Sequence, residues 1–274
     1  MIVNALLSFF CAIIVHNAIH CPIFKKKAHN KIFQVILSFT YGHSVSAFVS
    51  GHNFSHHKHT QTSKDRIRTT KMRLKPNILN QLLFFFVVAP GIVKDENDFA
   101  KLMYKEKPKW FWQYVLELVL VIGVKVTLVI LNPMIGIFVL VIPHFYAVWG
   151  VLGTNYWQHD GCDAMHPFNH TRNFTSKALN YVAFNNGYHS AHHEKANLHW
   201  SLLPAYHEKN IAPHIHPNLN RGSLVKFLIE AHIYPGKRLD YLGNEIIFDK
   251  NNEDVDWMAE LKVNQNHLDL GVED

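Results

Sequence analysis

Cysteine is scarce in this chain, three in 274 residues, with Cys11 and Cys21 ten apart and Cys162 alone. That leaves no CxxC pair, no disulfide framework and no cysteine set for an iron–sulfur cluster. No GxGxxG fingerprint follows a strand-like run, which excludes a resident NAD or FAD, and no cytochrome-like segment is appended. The apolar start, Met1 to about Val15, lacks both a positive n-region and a small-residue cleavage site, so it does not read as a secretory signal. Basic residues flank apolar runs instead of forming a stripe of their own, which argues against nucleic acid.

What is abundant is apolar sequence and histidine: 48% hydrophobic residues, 19 Phe and 21 His, at a net charge of +6. The apolar residues collect in long runs, with the histidines at their ends or between them. A bilayer crossing takes about 20 apolar residues. Residues 111–131 and 133–153 meet that length, and the turn Leu131-Asn132-Pro133 joins them as a hairpin. A run over about 1–18 makes a third span. The segments 32–50, diluted by Gln34, Ser38, Thr40, His43, Ser44 and Ser46, and 79–93, ending at Pro90-Gly91, are expected to be interfacial or re-entrant. Trp110, Trp112 and Tyr114 at one end of the hairpin, with Trp149, Tyr156 and Trp157 at the other, suit an interfacial aromatic belt. Three basic clusters, Lys25–Lys27, Lys58–Lys75 (interrupted only by Asp65) and Lys101–Lys109, place their loops on the cytoplasmic side. The expected fold is an all-α integral membrane protein with few transmembrane helices and a cytosolic histidine-rich helical cap. Residues 1–244 read as a single membrane-embedded domain and 245–274 as an acidic tail.

Four stretches carry histidine at helical spacing: His16-x-x-x-His20, His52-x-x-x-His56-His57, Asn155-x-x-x-His159 and His189-x-x-His192-His193. Residues four apart on a helix project from one face, so each stretch aims its side chains at one place. Nine imidazoles converging in this way suit two metal ions. A lone histidine is usually a hydrogen-bonded polar residue, but four clusters at i, i+3 or i+4 are not. Nine ligands overfill two tetrahedral zincs, whereas octahedral iron accommodates them and keeps positions open for dioxygen. No Asp or Glu lies within the clusters, unlike the Glu-x-x-His pattern of soluble di-iron bundles. Asp160, Asp163 and Glu194 flank ligand positions and are candidates to orient imidazoles. His59, His170, His199, His207, His214 and His216 read as polar or supporting residues, and His144 as a packed one. The other classes are a zinc-dependent membrane hydrolase, which would hold one zinc on three ligands, and a metal transporter, whose ligands should lie inside its spans.

The three boxes and the Asn155-x-x-x-His159 element resemble, in type and order, those of the membrane fatty acid desaturase and hydroxylase superfamily. This group includes stearoyl-CoA-type desaturases and bacterial alkane hydroxylases. Asn186-Gly-Tyr-His-Ser-Ala-His-His and His199-Trp-Ser-Leu-Leu-Pro are the most specific matches, and the resemblance covers roughly residues 1–210. It implies one iron on His16, His20, His52, His57 and His192. The other iron would sit on His56, His159, His189 and His193, with Asn155 near it through water. One departure is that family members carry a membrane hairpin before the first box, where this chain has one run.

The resemblance further implies an O2-dependent di-iron oxidoreductase acting on a long alkyl chain, with desaturation of a fatty acyl group as the leading expectation. Hydroxylation of a fatty acid or alkane, and decarboxylation to a terminal alkene, are the alternatives. Electrons must come from outside, from a ferredoxin, a rubredoxin or a cytochrome b5-type donor, and the basic face suits an acidic partner.

Overall fold

In a computed structural model, residues 1–248 and 253–261 are described. Among the described residues helices make up nearly all of the regular structure, beside one pair of two-residue parallel strands, Asn173–Phe174 and Asn220–Arg221, and an isolated antiparallel bridge between Leu239 and Glu245. Among the described residues three helices are long and apolar enough to cross a membrane: Asn77–Glu106, Pro108–Leu131 and Pro133–His159. The first helix, Ile2–Ala18 (α1), is apolar but shorter. The chain divides into two compact units, Met1–Phe54 with Ile92–Val151 and Met258–Asp274, and Ser55–Gly91 with Leu152–Trp257.

In the first unit, Lys27–Tyr41 (α2) ends at Gly42 in the left-handed region, φ 89°. The chain then turns through 90° into the apolar helix that continues from Val45 to His57 (α3). Ser44 caps this second arm, its Oγ accepting from the Ala47 N–H at 3.1 Å. Gly42 is required there: a Cβ would fall 2.1 Å from the His144 ring, in a backbone conformation side chains disfavour. A bend of this kind exposes carbonyls and N–H groups that lipid cannot satisfy. Two charged residues of Pro108–Leu131 (α5) meet that need. Glu117, fully buried, accepts from Ser44 Oγ at 2.7 Å, Ser46 N at 2.9 Å and Gln113 Nε2 at 2.9 Å. Lys125 Nζ donates to the Gly42 carbonyl at 2.6 Å. The segment 32–50, expected to be interfacial or re-entrant, thus lies in two helical arms stapled at their elbow, a shape that admits a broken span as well as a re-entrant loop.

The apolar run 79–93 lies inside Asn77–Glu106 (α4), which continues through Pro90 for another sixteen residues. Length and composition there admit a crossing as well as the interfacial placement read from the sequence. Asn132 ends α5 and caps the following helix, accepting from Ile135 N at 3.1 Å, with Pro133 at its first position. That helix, Pro133–His159 (α6), includes a π-helical stretch over Gly136–Val141 and delivers Asn155 and His159 at its C-terminal end. The acidic tail expected over 245–274 falls largely outside the described residues.

Candidate metal centre

In the second unit four imidazoles converge. Ligand atoms of His56, His159, His189 and His193 lie within 4.8 Å of one another. His159 Nε2 is 2.9 Å from His189 Nε2, and His193 Nε2 is 3.1 Å from the same atom. Beside them the Nε2 atoms of His57 and His192 stand 3.0 Å apart. In the first unit, ligand atoms of His16, His20 and His52 also lie within 4.8 Å of one another, with the His16 and His52 rings 4.6 Å between centroids. Counted within each unit, the nine histidines singled out by spacing are a four and a pair in the second unit and a three in the first.

A histidine presents the nitrogen opposite to the one it uses as a donor. His56 Nδ1–H donates to Asp65 Oδ2 at 2.9 Å, both side chains being fully buried. His159 Nδ1–H donates to the His170 carbonyl at 3.3 Å. Both tautomers therefore place the lone pair on Nε2. Burial pushes the Asp65 carboxyl up, but His56 and the backbone N–H groups of Gln61 and Ile67 outweigh it and hold it below the ordinary carboxylate value. Those two N–H groups reach its oxygens at 2.8 and 2.9 Å. His193 is held well below the usual imidazole value by burial first and then by its histidine neighbours, so it is neutral and able to ligate at pH 7.

The backbone around these rings is tied down by polar side chains. Arg172, buried, donates to the carbonyls of Trp157 at 2.6 Å and Asp160 at 2.8 Å, where α6 leaves its last carbonyls unsatisfied. Gln158 Nε2 reaches the Asn186 carbonyl at 2.9 Å, joining the end of α6 to the turn before His189. In that turn Gly187 N–H donates to Asn180 Oδ1 at 3.0 Å, and a Cβ on Gly187 would fall 2.2 Å from the Phe174 carbonyl. Asn173 Oδ1 accepts from Ser190 N at 2.9 Å while its Nδ2 donates to Ser190 Oγ at 2.8 Å. These bonds hold the short helix His189–Glu194 (α8) in place.

Asn155 is buried and donates to the Ile67 carbonyl at 3.1 Å. The flanking acids expected to orient imidazoles have other partners. Asp160 pairs with Arg238, Asp163 accepts from the Met165 N–H and Glu194 accepts from the Tyr206 hydroxyl. Asp65 takes that role for His56. In the sequence Asp65 stands out only as a single acid inside the basic run Lys58–Lys75, and nothing there ties it to His56, nine residues away.

Fold and site together define an all-helical membrane protein with clustered histidines fit for metal. The Fatty acid desaturase family model matches residues 1–221, and the chain belongs to that family. Membership makes it an oxidoreductase of the fatty acid desaturase and hydroxylase type, iron-dependent, using a lipid substrate and a redox partner. Comparison with curated proteins and with solved structures finds no match.

Proposed function

We propose that this chain is a di-iron, O2-dependent fatty acyl desaturase. The observation that carries the reading is the spacing inside the four-histidine group. Two nitrogens about 2.1 Å from one metal lie about 3.0 Å apart across a right angle and about 3.4 Å across a tetrahedral one. Separations of 2.9 and 3.1 Å are short enough for these nitrogens to share one ion, and iron in place of zinc rests on the family and on the count of nine imidazoles. His56, His159, His189 and His193 would hold one iron, with Asn155 acting through a bound water. His16, His20, His52, His57 and His192 would hold the other, on the strength of the family resemblance and the ligand count.

Iron held there would supply, with dioxygen, two external electrons and two protons, the oxidising power to remove two hydrogens from an unactivated alkyl chain, with the dioxygen reduced to two waters. The protein's own part is to aim nine imidazoles at the metal and to give the acyl chain apolar surroundings. The active site faces the cytoplasm of a multi-pass protein, where the basic clusters receive a ferredoxin, a rubredoxin or a cytochrome b5-type donor. Residues 1–244 act as the catalytic domain.

Profiling the lipids and hydrocarbons of cells expressing the chain tests this reading. A new acyl double bond is expected, absent with His189→Ala inserted at equal level. A hydroxylated chain or a terminal alkene would replace desaturation by the sister reactions, and equal product from the variant would overturn the ligand set.

A further inference from the structure

The family match ends at residue 221, yet two residues beyond it reach back to the segments that carry the four-histidine group. The Arg238 side chain is only 7% exposed. Its Nε lies 3.0 and 3.1 Å from the two carboxylate oxygens of Asp160, and its Nη2 is 2.5 Å from one of them. The same guanidinium donates to the Thr69 carbonyl at 2.9 Å and to the Met72 carbonyl. One side chain thus ties the residue after His159 to the end of the loop that follows His57. Asp254 holds the other side of that loop. Its carboxylate takes Arg66 at 3.2 Å, Lys71 at 2.9 Å and Arg68, while the Val255 N–H donates to the Ser63 carbonyl at 3.0 Å. Between these anchors sits Asp65, the acceptor of His56 Nδ1–H.

We infer that Arg238 and Asp254 form a C-terminal clamp that positions the Asp65 loop, and through it His56, against the end of α6. Arg66, Arg68 and Lys71 bring three like charges onto one short stretch, and the Asp254 carboxylate lies against all three, offsetting their mutual repulsion. Arg238 acts differently. A buried carboxylate stripped of its guanidinium is strongly destabilised, so Asp160 moves toward water and takes the α6 terminus with it. Lysine cannot replace this fork, because one ammonium cannot serve both carboxylate oxygens and two carbonyls in plane. The inference rests on the four-histidine group being a metal centre, not on which reaction that centre performs.

The test uses the full chain purified without metal, as wild type, Asp254→Asn, Asp254→Glu and Arg238→Gln. Amide hydrogen exchange over residues 58–72 is read first, followed by titration with Co2+ as the probe ion, monitored by its visible absorption. Asp254→Asn should raise exchange at residues 63–71 about tenfold and weaken cobalt binding about 10- to 100-fold, the range for partners behind a ligand. Exchange in α5 should be unchanged, and Asp254→Glu should restore most of both effects. Wild-type exchange and cobalt affinity in Asp254→Asn would overturn the clamp, and this holds even if Arg238→Gln fails to accumulate. A wild type that takes up no metal would instead defeat the metal-centre reading, while the exchange data still decide the clamp.

Discussion

An imidazole gives a metal one nitrogen, and the hydrogen bond on the other decides which. For His56 that bond goes to Asp65, an acceptor held by two backbone N–H groups. Asp65→Asn keeps the shape and removes the charge, so iron or cobalt affinity at the four-histidine group should drop about 10- to 100-fold; affinity within twofold of wild type in a metal titration would refute the role. Protonation has a sign that follows from the same residues. His193 has its pKa lowered by burial, so as pH falls below about 6.5 the unfolded chain gains a proton that the folded chain refuses, and stability declines. Asp65, also lowered, contributes fully above about 3.9 and is lost only as pH falls through its still lower folded value. Thermal melts of the metal-free protein should therefore weaken from about pH 6.5 downward, not first in the carboxylate range; a flat profile to pH 4 would contradict this. The clustering of the histidines is legible in the sequence because helical spacing is local. Asp65, Arg172 and the His170 carbonyl are not, since what each does depends on a turn of chain that brings distant residues together.

Among the elements, the elbow between α2 and the arm Val45–His57 orients the helix that carries His52, His56 and His57. Its sequence reads as a diluted apolar run, and the polar residues that dilute it, Ser44 and Ser46, prove to be the donors for Glu117. Glu117 and Lys125 look like blemishes in a span when read along the chain; across the fold they satisfy the broken backbone. Gly42→Ala should cost about 1–3 kcal/mol from backbone strain alone, besides the overlap with His144, and Glu117→Ala a further loss of about 1–3 kcal/mol by stranding its donors. Thermal unfolding in detergent checks both, and a Gly42→Ala protein as stable as wild type would show that the elbow is not held as described. The sequence reading ends an apolar run at Pro90-Gly91, whereas α4 continues to Glu106. A proline removes one helical hydrogen bond, and in an apolar helix local adjustments re-satisfy the freed group, so a turn signal valid for a loop is a weak stop here.

For the whole molecule, the class of protein was visible from apolar runs and histidine boxes, and the family match bears that out over residues 1–221. The sequence shows Asp254 only as part of an acidic tail and Arg238 only as one residue of the domain before it, because the work of both depends on partners far upstream, 78 residues from Arg238 to Asp160 and 186 from Asp254 to Arg68. The choice of acyl chain and the position attacked depend on fine placement of the substrate, which box spacing does not encode. Iron in pairs is the claim on which the rest of the account depends. Metal analysis of the full chain purified from iron-replete cells measures it directly: about two irons per chain are expected, falling to about one in His189→Ala. Stoichiometric zinc in place of iron, or a single metal unaffected by that substitution, would contradict it.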